Sequence, residues 1–550
     1  MGRKNILSRE ISRVLAHSPV ERARSIIDSQ YTRQILEQLP SQEAYLIIKD
    51  AWGTDSQILL QYVNPETITH FIDLDCWDKG FFSIDSLADW LFELYTSSSE
   101  VLLKTLEILD IEIIVLFFQS YFEVVHVVPT DERIPDLIDE GFESLDNIYY
   151  FRIIKDDERE YFIKDLLSSF FSYDQYTYYQ IMEGVINELR SSIEETIFER
   201  RSLRLMEQGF PPPEEALGIY QHIKPSDLSR QGILKEKTPY INKDLHQLPV
   251  VYLESISQSR GLILKTLEKT SRSTQERFLY EMIYLANKVI MADFRPLNDS
   301  THIKASMDKA SCIASLGLEV AMLERGRPAD VILETTNADT LFSLGYNMIA
   351  EQQRRLRLIL DAIEVSMIPE SLSTYVEGLL RKRPQYKDRE FSSLAELEQV
   401  KASIDQMEAM IILISNLHWE DEIKNLTGTN VGSGIDLENV LLTSLAVNFS
   451  ERVLRFRPLS INDLIIFIHH VSIVDDRGRR VLRRDFTSDL HALLRALQSG
   501  LDEERISDVV DLLVSRFEEE LSTIVDIDHL DVRFITCFVV RLTTSSPAGS

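Results

Sequence analysis

Glycine and proline are scarce, 19 and 17 among 550 residues. Each punctuates regular structure, glycine by backbone freedom and proline by its missing N–H, so this shortage argues against a strand-and-turn chain. Cysteine is scarcer still. Cys76, Cys312 and Cys537 lie far apart, form no Cys-x-x-Cys pair and have apolar neighbours. That excludes a disulfide framework and reads as reduced packing residues of a cytosolic protein. Long apolar runs are missing too: stretches such as 113–118 and 409–414 fall far below the roughly 20 residues of a spanning helix. Met1-Gly2-Arg3-Lys4-Asn5-Ile6 has no apolar segment behind its charges, which excludes a secretory signal, and Ile6 stands where myristoylation wants Ser or Thr. The expectation is cytoplasmic residence without membrane insertion. Positive charge is also short: 58 basic residues face 88 acidic ones, a net −30 with pI near 4.8. Such a field repels phosphate backbones and anionic headgroups, which disfavours nucleic acid as a partner.

What is present is helix. Apolar residues at 44% and charged residues at 27% are ordinary for a globular chain that folds without metal or disulfides. Apolar positions recur at helical spacing almost throughout, and prolines or capping residues open the helices, as in Leu39-Pro40-Ser41, Val63-Asn64-Pro65 and Leu109-Asp110-Ile111. In the second phrase Asn64 can cap while Pro65 takes the first helical position. The spacing of Pro40 and Pro65 suits short helices stacked in a superhelix. The cleanest periodicity is Leu397, Val400, Ile404, Met407, Ile411 and Ile414, a seam that packs against one neighbouring helix, for which Leu356, Ile359 and Ile363 are the candidate partner. Residues 142–154 break the pattern, with aromatic and β-branched residues flanking a two-residue Asp146-Asn147 turn, a small β-hairpin.

The expected fold class is therefore all-α, multi-helical, with superhelical repeat-like lobes and one small β-hairpin near 142–154. The expected organisation is a helical repeat-like region 1–128, a hairpin plus acidic helical region 129–208, a Pro-containing linker 209–249, a middle helical domain 250–390, a C-terminal helical domain 391–542 and a disordered tail 543–550. Residues 131–200 carry 18 acidic and 7 basic residues, −11 in all, a surface suited to basic partner segments.

No catalytic or metal motif survives inspection, and no cofactor is expected. Gly428-Thr429-Asn430-Val431-Gly432-Ser433-Gly434 lacks the strand, lysine and hydroxyl of a phosphate loop, and Asp436 would repel an anion at the helix that follows. Ser306-Met307-Asp308-Lys309 has Ser-x-x-Lys spacing without its companion elements. Asp73-Leu74-Asp75-Cys76-Trp77-Asp78 starts like a calcium loop but puts Trp77 at a ligand position; Trp77 reads as a core anchor. His469 and His470 close an apolar helix, where a cation suits the dipole. Two basic clusters remain as candidate partner or anion contacts: Arg381, Lys382 and Arg383, and Arg477, Arg479, Arg480, Arg483 and Arg484. Flanking Asp475, Asp476 and Asp485 favour internal ion pairs there.

Phe71-Ile72-Asp73-Leu74-Asp75-Cys76-Trp77, Tyr284-Leu285-Ala286-Asn287-Lys288-Val289, Leu316-Gly317-Leu318-Glu319, Leu341-Phe342-Ser343-Leu344-Gly345-Tyr346 and Leu441-Leu442-Thr443-Ser444-Leu445-Ala446 with Arg457-Pro458-Leu459 resemble a bacterial family numbered 6178 in the domain-of-unknown-function series. The resemblance implies bacterial origin and supplies no catalytic residues. Gln38-Leu39-Pro40 and Val63-Asn64-Pro65 resemble the helical repeats of MgtE-type magnesium transporters and flagellar motor switch proteins, which implies superhelices working through protein contacts and brings no magnesium ligands. The reading that follows is a scaffold or adaptor that binds other proteins. Its rivals are an enzyme or small-ligand sensor with a site assembled from distant helices, and a nucleic-acid binder using the arginine clusters.

Overall fold

A computed structural model describes residues 3–78, 80–128, 130, 133–155, 157–222, 251–252, 255–256, 261–415, 417, 419–424, 429–430, 434–475, 480–497, 500–524 and 526–542. The expected linker beyond residue 222 and the expected tail 543–550 lie outside the described residues. Helices dominate, and the chain divides into two compact units, Met1–Gly345 and Tyr346–Ser550. No described helix is long and apolar enough to cross a membrane.

In the first unit, Pro65 opens the helix Pro65–Asp75 as expected, but the Asn64 side chain makes no capping bond. Asp110 likewise leaves the helix Ile111–Tyr121 uncapped. Its carboxylate goes instead to Arg200 at 3.1 Å and Arg204 at 2.7 Å. Those arginines lie on the helix Arg190–Glu207 and pin it to the two helices beneath. Arg204 also grips both oxygens of Asp73, at 2.7 and 2.8 Å, while Arg201 donates to the Asp73 carbonyl at 2.8 Å and covers the Trp77 ring. Burial raises the Asp73 carboxyl against the pull of Arg204. Burial also opposes the Arg204 charge, yet its two carboxylate partners hold the guanidinium above its ordinary range.

Asp75, two residues on and so on roughly the opposite side of the same helix, is a second buried anchor. It accepts from Lys49 at 2.7 Å, the Trp90 indole at 2.8 Å, the Tyr45 hydroxyl at 3.0 Å and Asn298 at 3.1 Å. Burial opposes its charge, but Lys49, Trp90 and Asn298 together keep the carboxyl below its usual range. Further along, the helices Arg272–Ala292 and Ser300–Arg325 pack extensively. Asp299 caps the second through the Thr301 N–H, and Gly326 ends it in the left-handed region at φ 60°.

Three small sheets correct the single expected hairpin. Trp77–Asp78 pairs with Phe81–Phe82 and Ser472–Val474 with Arg480–Leu482. In the third, Tyr149–Ile153 is central, flanked by Glu143–Ser144 and by Phe122–His126. The expected hairpin is therefore real but three-stranded, and its loop has four residues, 145–148, rather than two.

In the second unit the seam helix Leu394–Ile414 packs against Leu437–Glu451 and Glu503–Thr523. Two neighbours widen the buried stripe beyond the expected seam, so Met410 and Leu413 are buried too. Arg355, beside the expected partner residue Leu356, reaches Asp405 at 2.5 Å and Glu408 at 2.8 Å on that helix. The C-terminal helical domain expected over 391–542 does not close in a helix: residues 535–540 are not helical, and Ile535, Cys537, Phe538, Val539 and Val540 are buried. All three cysteines are buried and none is in a disulfide.

Candidate functional site

The three-stranded sheet interrupts an otherwise helical unit, and sequence explains each strand. Phe122-Glu123-Val124-Val125-His126 is aromatic and β-branched and continues directly from the helix Ile111–Tyr121. Asp146 organises the loop by accepting from the Ile148 and Tyr149 N–H groups at 2.8 and 2.9 Å. Asn147 follows at φ 62°, a conformation that asparagine tolerates better than most residues.

A groove of about 610 Å³ runs beside this sheet, between the strand Tyr149–Ile153 and the helix Glu160–Tyr173. Glu140, Glu143, Arg152, Lys155, Glu160 and Lys164 line it with Phe151, Ile153 and Ile154. Every cation there already has a carboxylate: Lys164 meets Glu160 at 2.9 Å and Glu143 at 3.0 Å, Arg152 meets Glu123 at 2.7 Å, and Lys155 meets Asp85. The Glu160 bond, against partial burial, raises the Lys164 ammonium above its ordinary range. At the rim Arg159 binds Asp157, which keeps that carboxyl far below the usual carboxylate range. Beside Glu160 the Tyr161 ring stands in solvent at 78% exposure.

The residues singled out from sequence lie elsewhere. Arg477 and Arg479 are outside the described residues. Arg483 is held by Asp485 at 2.6 Å, and Arg480 reaches the Ser472 hydroxyl at 3.3 Å. Arg484, Arg381 and Lys382 are exposed and Arg383 half-buried; Arg381 bonds Gln385. The groove residues escaped a motif search because their juxtaposition depends on strand register.

The rejected motifs have structural occupations. Lys309, 1% exposed, pairs with Asp293 at 2.6 Å, while the buried Ser306 hydroxyl makes no hydrogen bond among the described residues, so Ser306 and Lys309 are not bonded to each other. Asp436 caps its helix through a reciprocal bond with Asn439. His469 meets Asp528 at 3.1 Å, and Trp77 is buried.

A family model described as a family of unknown function (DUF6178) matches residues 3–541. The chain belongs to the DUF6178 family. No curated protein and no solved structure gives a significant match. Several DUF6178 phrases quoted above coincide with buried polar anchors: Asp73 and Asp75 in the first, and Asn287, which donates to the Gly209 carbonyl at 2.8 Å, in the second. In the phrase 441–446, Thr443 accepts the Val539 N–H at 2.9 Å.

Proposed function

We propose that this chain is a protein-binding scaffold whose first unit captures an extended, basic segment of another protein in the groove beside Tyr149–Ile153. The observation that carries this reading is an uncovered strand edge. Glu143–Ser144 covers that strand only at Tyr150 and Phe151. The Ile154 N–H bonds the Tyr121 carbonyl on the opposite side, so antiparallel alternation turns the Ile153 N–H and C=O towards the groove. An incoming strand gains main-chain bonds there and seats side chains on either face.

Charge selects the partner. Asp136, Asp139, Glu140 and Glu158 are exposed and form no ion pair among the described residues, so a basic segment is steered in and an acidic one repelled. The exposed Tyr161 ring, next to Glu160, adds rigid contact area at low entropic cost.

The test uses a dye-labelled peptide of alternating lysine and valine, followed by fluorescence anisotropy against the full chain. Ile153→Pro removes the outward N–H at a position where an edge strand tolerates proline, and it should abolish binding. Reversing Asp136, Asp139 and Glu140 to lysine should weaken binding and flatten its salt dependence. Equal binding by Ile153→Pro would overturn the reading.

A further inference from the structure

Arg480 and Arg484 form no ion pair among the described residues, although acidic residues outnumber basic ones in this chain. They sit beside uncovered apolar surface. Pairing of Ser472–Val474 with Arg480–Leu482 puts Val474 across from Arg480 on one face of the hairpin, with Ile473 on the other, and Val474 is 58% exposed. Neighbouring β-branched and guanidinium groups fit a partner that offers apolar atoms and carboxylates side by side.

The chain carries such a surface. On the helix Arg190–Glu207, the positions Glu195, Glu199, Leu203 and Met206 follow steps of four, four and three and therefore share one face. Leu203 and Met206 are 62% and 51% exposed. Glu195 and Glu199 are exposed and form no ion pair among the described residues. The neighbouring arginines do not neutralise this stripe, since Arg190 is taken by Glu194 and Arg200 by Asp110 and Glu112.

We propose that the chain self-associates head to tail: the hairpin of one copy seats Val474 on Leu203 and Met206 of a second copy, while Arg480 and Arg484 meet Glu195 and Glu199. This rests on the protein-binding reading and names one partner for its acidic region. Arginine suits the task, because its planar fork bonds carboxylates in pairs and sheds water more readily than an ammonium group. Hairpin and stripe are different surfaces, so one contact leaves a second hairpin and a second stripe to pair, either reciprocally within a two-fold dimer or onward into a ring or open chain.

Sedimentation velocity of the full chain over a range of concentrations at low salt tests it. The unmodified chain should associate as concentration rises and dissociate as salt is added. R480E/R484E and E195R/E199R should each lose association by roughly tenfold or more while keeping the circular dichroism of the parent, because Arg484, Glu195 and Glu199 are exposed and Arg480 is half-exposed with a single long bond to Ser472. An equimolar mixture of the two variants should regain it, since a reversed hairpin then meets a reversed stripe. A parent chain that stays monomeric at every concentration, or variants that assemble as the parent does, would overturn the inference. If the parent is monomeric yet the lysine–valine peptide still binds, self-association falls and the protein-binding reading stands; loss of both removes that reading as well.

Discussion

Gly317 and Gly345 cross backbone to backbone: a Cβ on Gly317 would lie 1.8 Å from the Leu341 carbonyl oxygen, and one on Gly345 would lie 2.2 Å from that of Ile313. Intrinsic propensity argues the other way, since alanine outranks glycine in a helix by about 1 kcal/mol. Here the steric term decides, because the obstructing atoms are backbone and cannot rotate aside. Gly317→Ala or Gly345→Ala should therefore destabilise the fold by about 3 kcal/mol or more. Gly218→Ala, where nothing stands within 4 Å, should stay within about 0.5 kcal/mol of the parent. Thermal melts of the three variants check the contrast.

Asp73 and Arg204 give a second expectation. Both are taken out of water, Asp73 to 1% side-chain exposure and Arg204 to 22%, so removing one partner leaves an uncompensated charge. Arg204→Met should cost about 3 to 5 kcal/mol, and combining it with Asp73→Asn should recover part of that loss. Additive losses in urea unfolding would show that the two side chains are not coupled.

These two contacts also show what was legible in the chain. Helix starts such as Pro65, the 397–414 seam, the hairpin near 142–154 and the buried role of Trp77 follow from local rules of period, capping and turn chemistry. The strand 122–126 did not, because no breaker separates it from the apolar helix before it. Asp73 and Arg204 lie 131 positions apart, and neither residue type announces its partner. The groove needs a register that juxtaposes Glu140, Arg152 and Lys164, and periodicity within one segment carries no register between segments.

Glu438 should make the second unit sensitive to pH. Its side chain is 2% exposed and stands 3.6 Å from Arg516. Burial first, and then repulsion by Asp436, push its carboxyl from 4.5 up to about 7 against the Ser371 hydroxyl and Arg516. A carboxyl with a raised folded-state pKa binds more protons folded than unfolded between those values. Stability therefore falls as pH rises through that window, by up to about 3 kcal/mol from this group. Urea unfolding at about pH 5 and about pH 8 should show the loss. Glu438→Gln, neutral throughout, should flatten it, and an unchanged slope would assign the effect to other groups.

Asn430 should hold the buried segment 535–541 in place. Its side chain accepts the Val540 N–H at 2.7 Å and donates to the Ile535 and Phe538 carbonyls at 2.7 and 2.9 Å. Glu520 takes the Thr536 and Cys537 N–H groups at 2.6 and 2.7 Å, and Asn439 donates to the Thr536 carbonyl at 2.6 Å. Asn430 and the helix side chains Glu520 and Asn439 thus add to the backbone bonds this segment makes with Asn430 and Leu459, and removing one leaves buried backbone groups unsatisfied. Asn430→Ala should cost about 3 kcal/mol and speed hydrogen exchange across 535–541 more than in the helix Glu503–Thr523. Asn430→Asp separates the two halves of the role. It keeps an acceptor for Val540 but turns a carboxylate oxygen towards two carbonyls, so it should protect the segment no better than alanine does. Protection equal to the parent's would show that the Val540 bond alone suffices and that the two donated bonds contribute nothing.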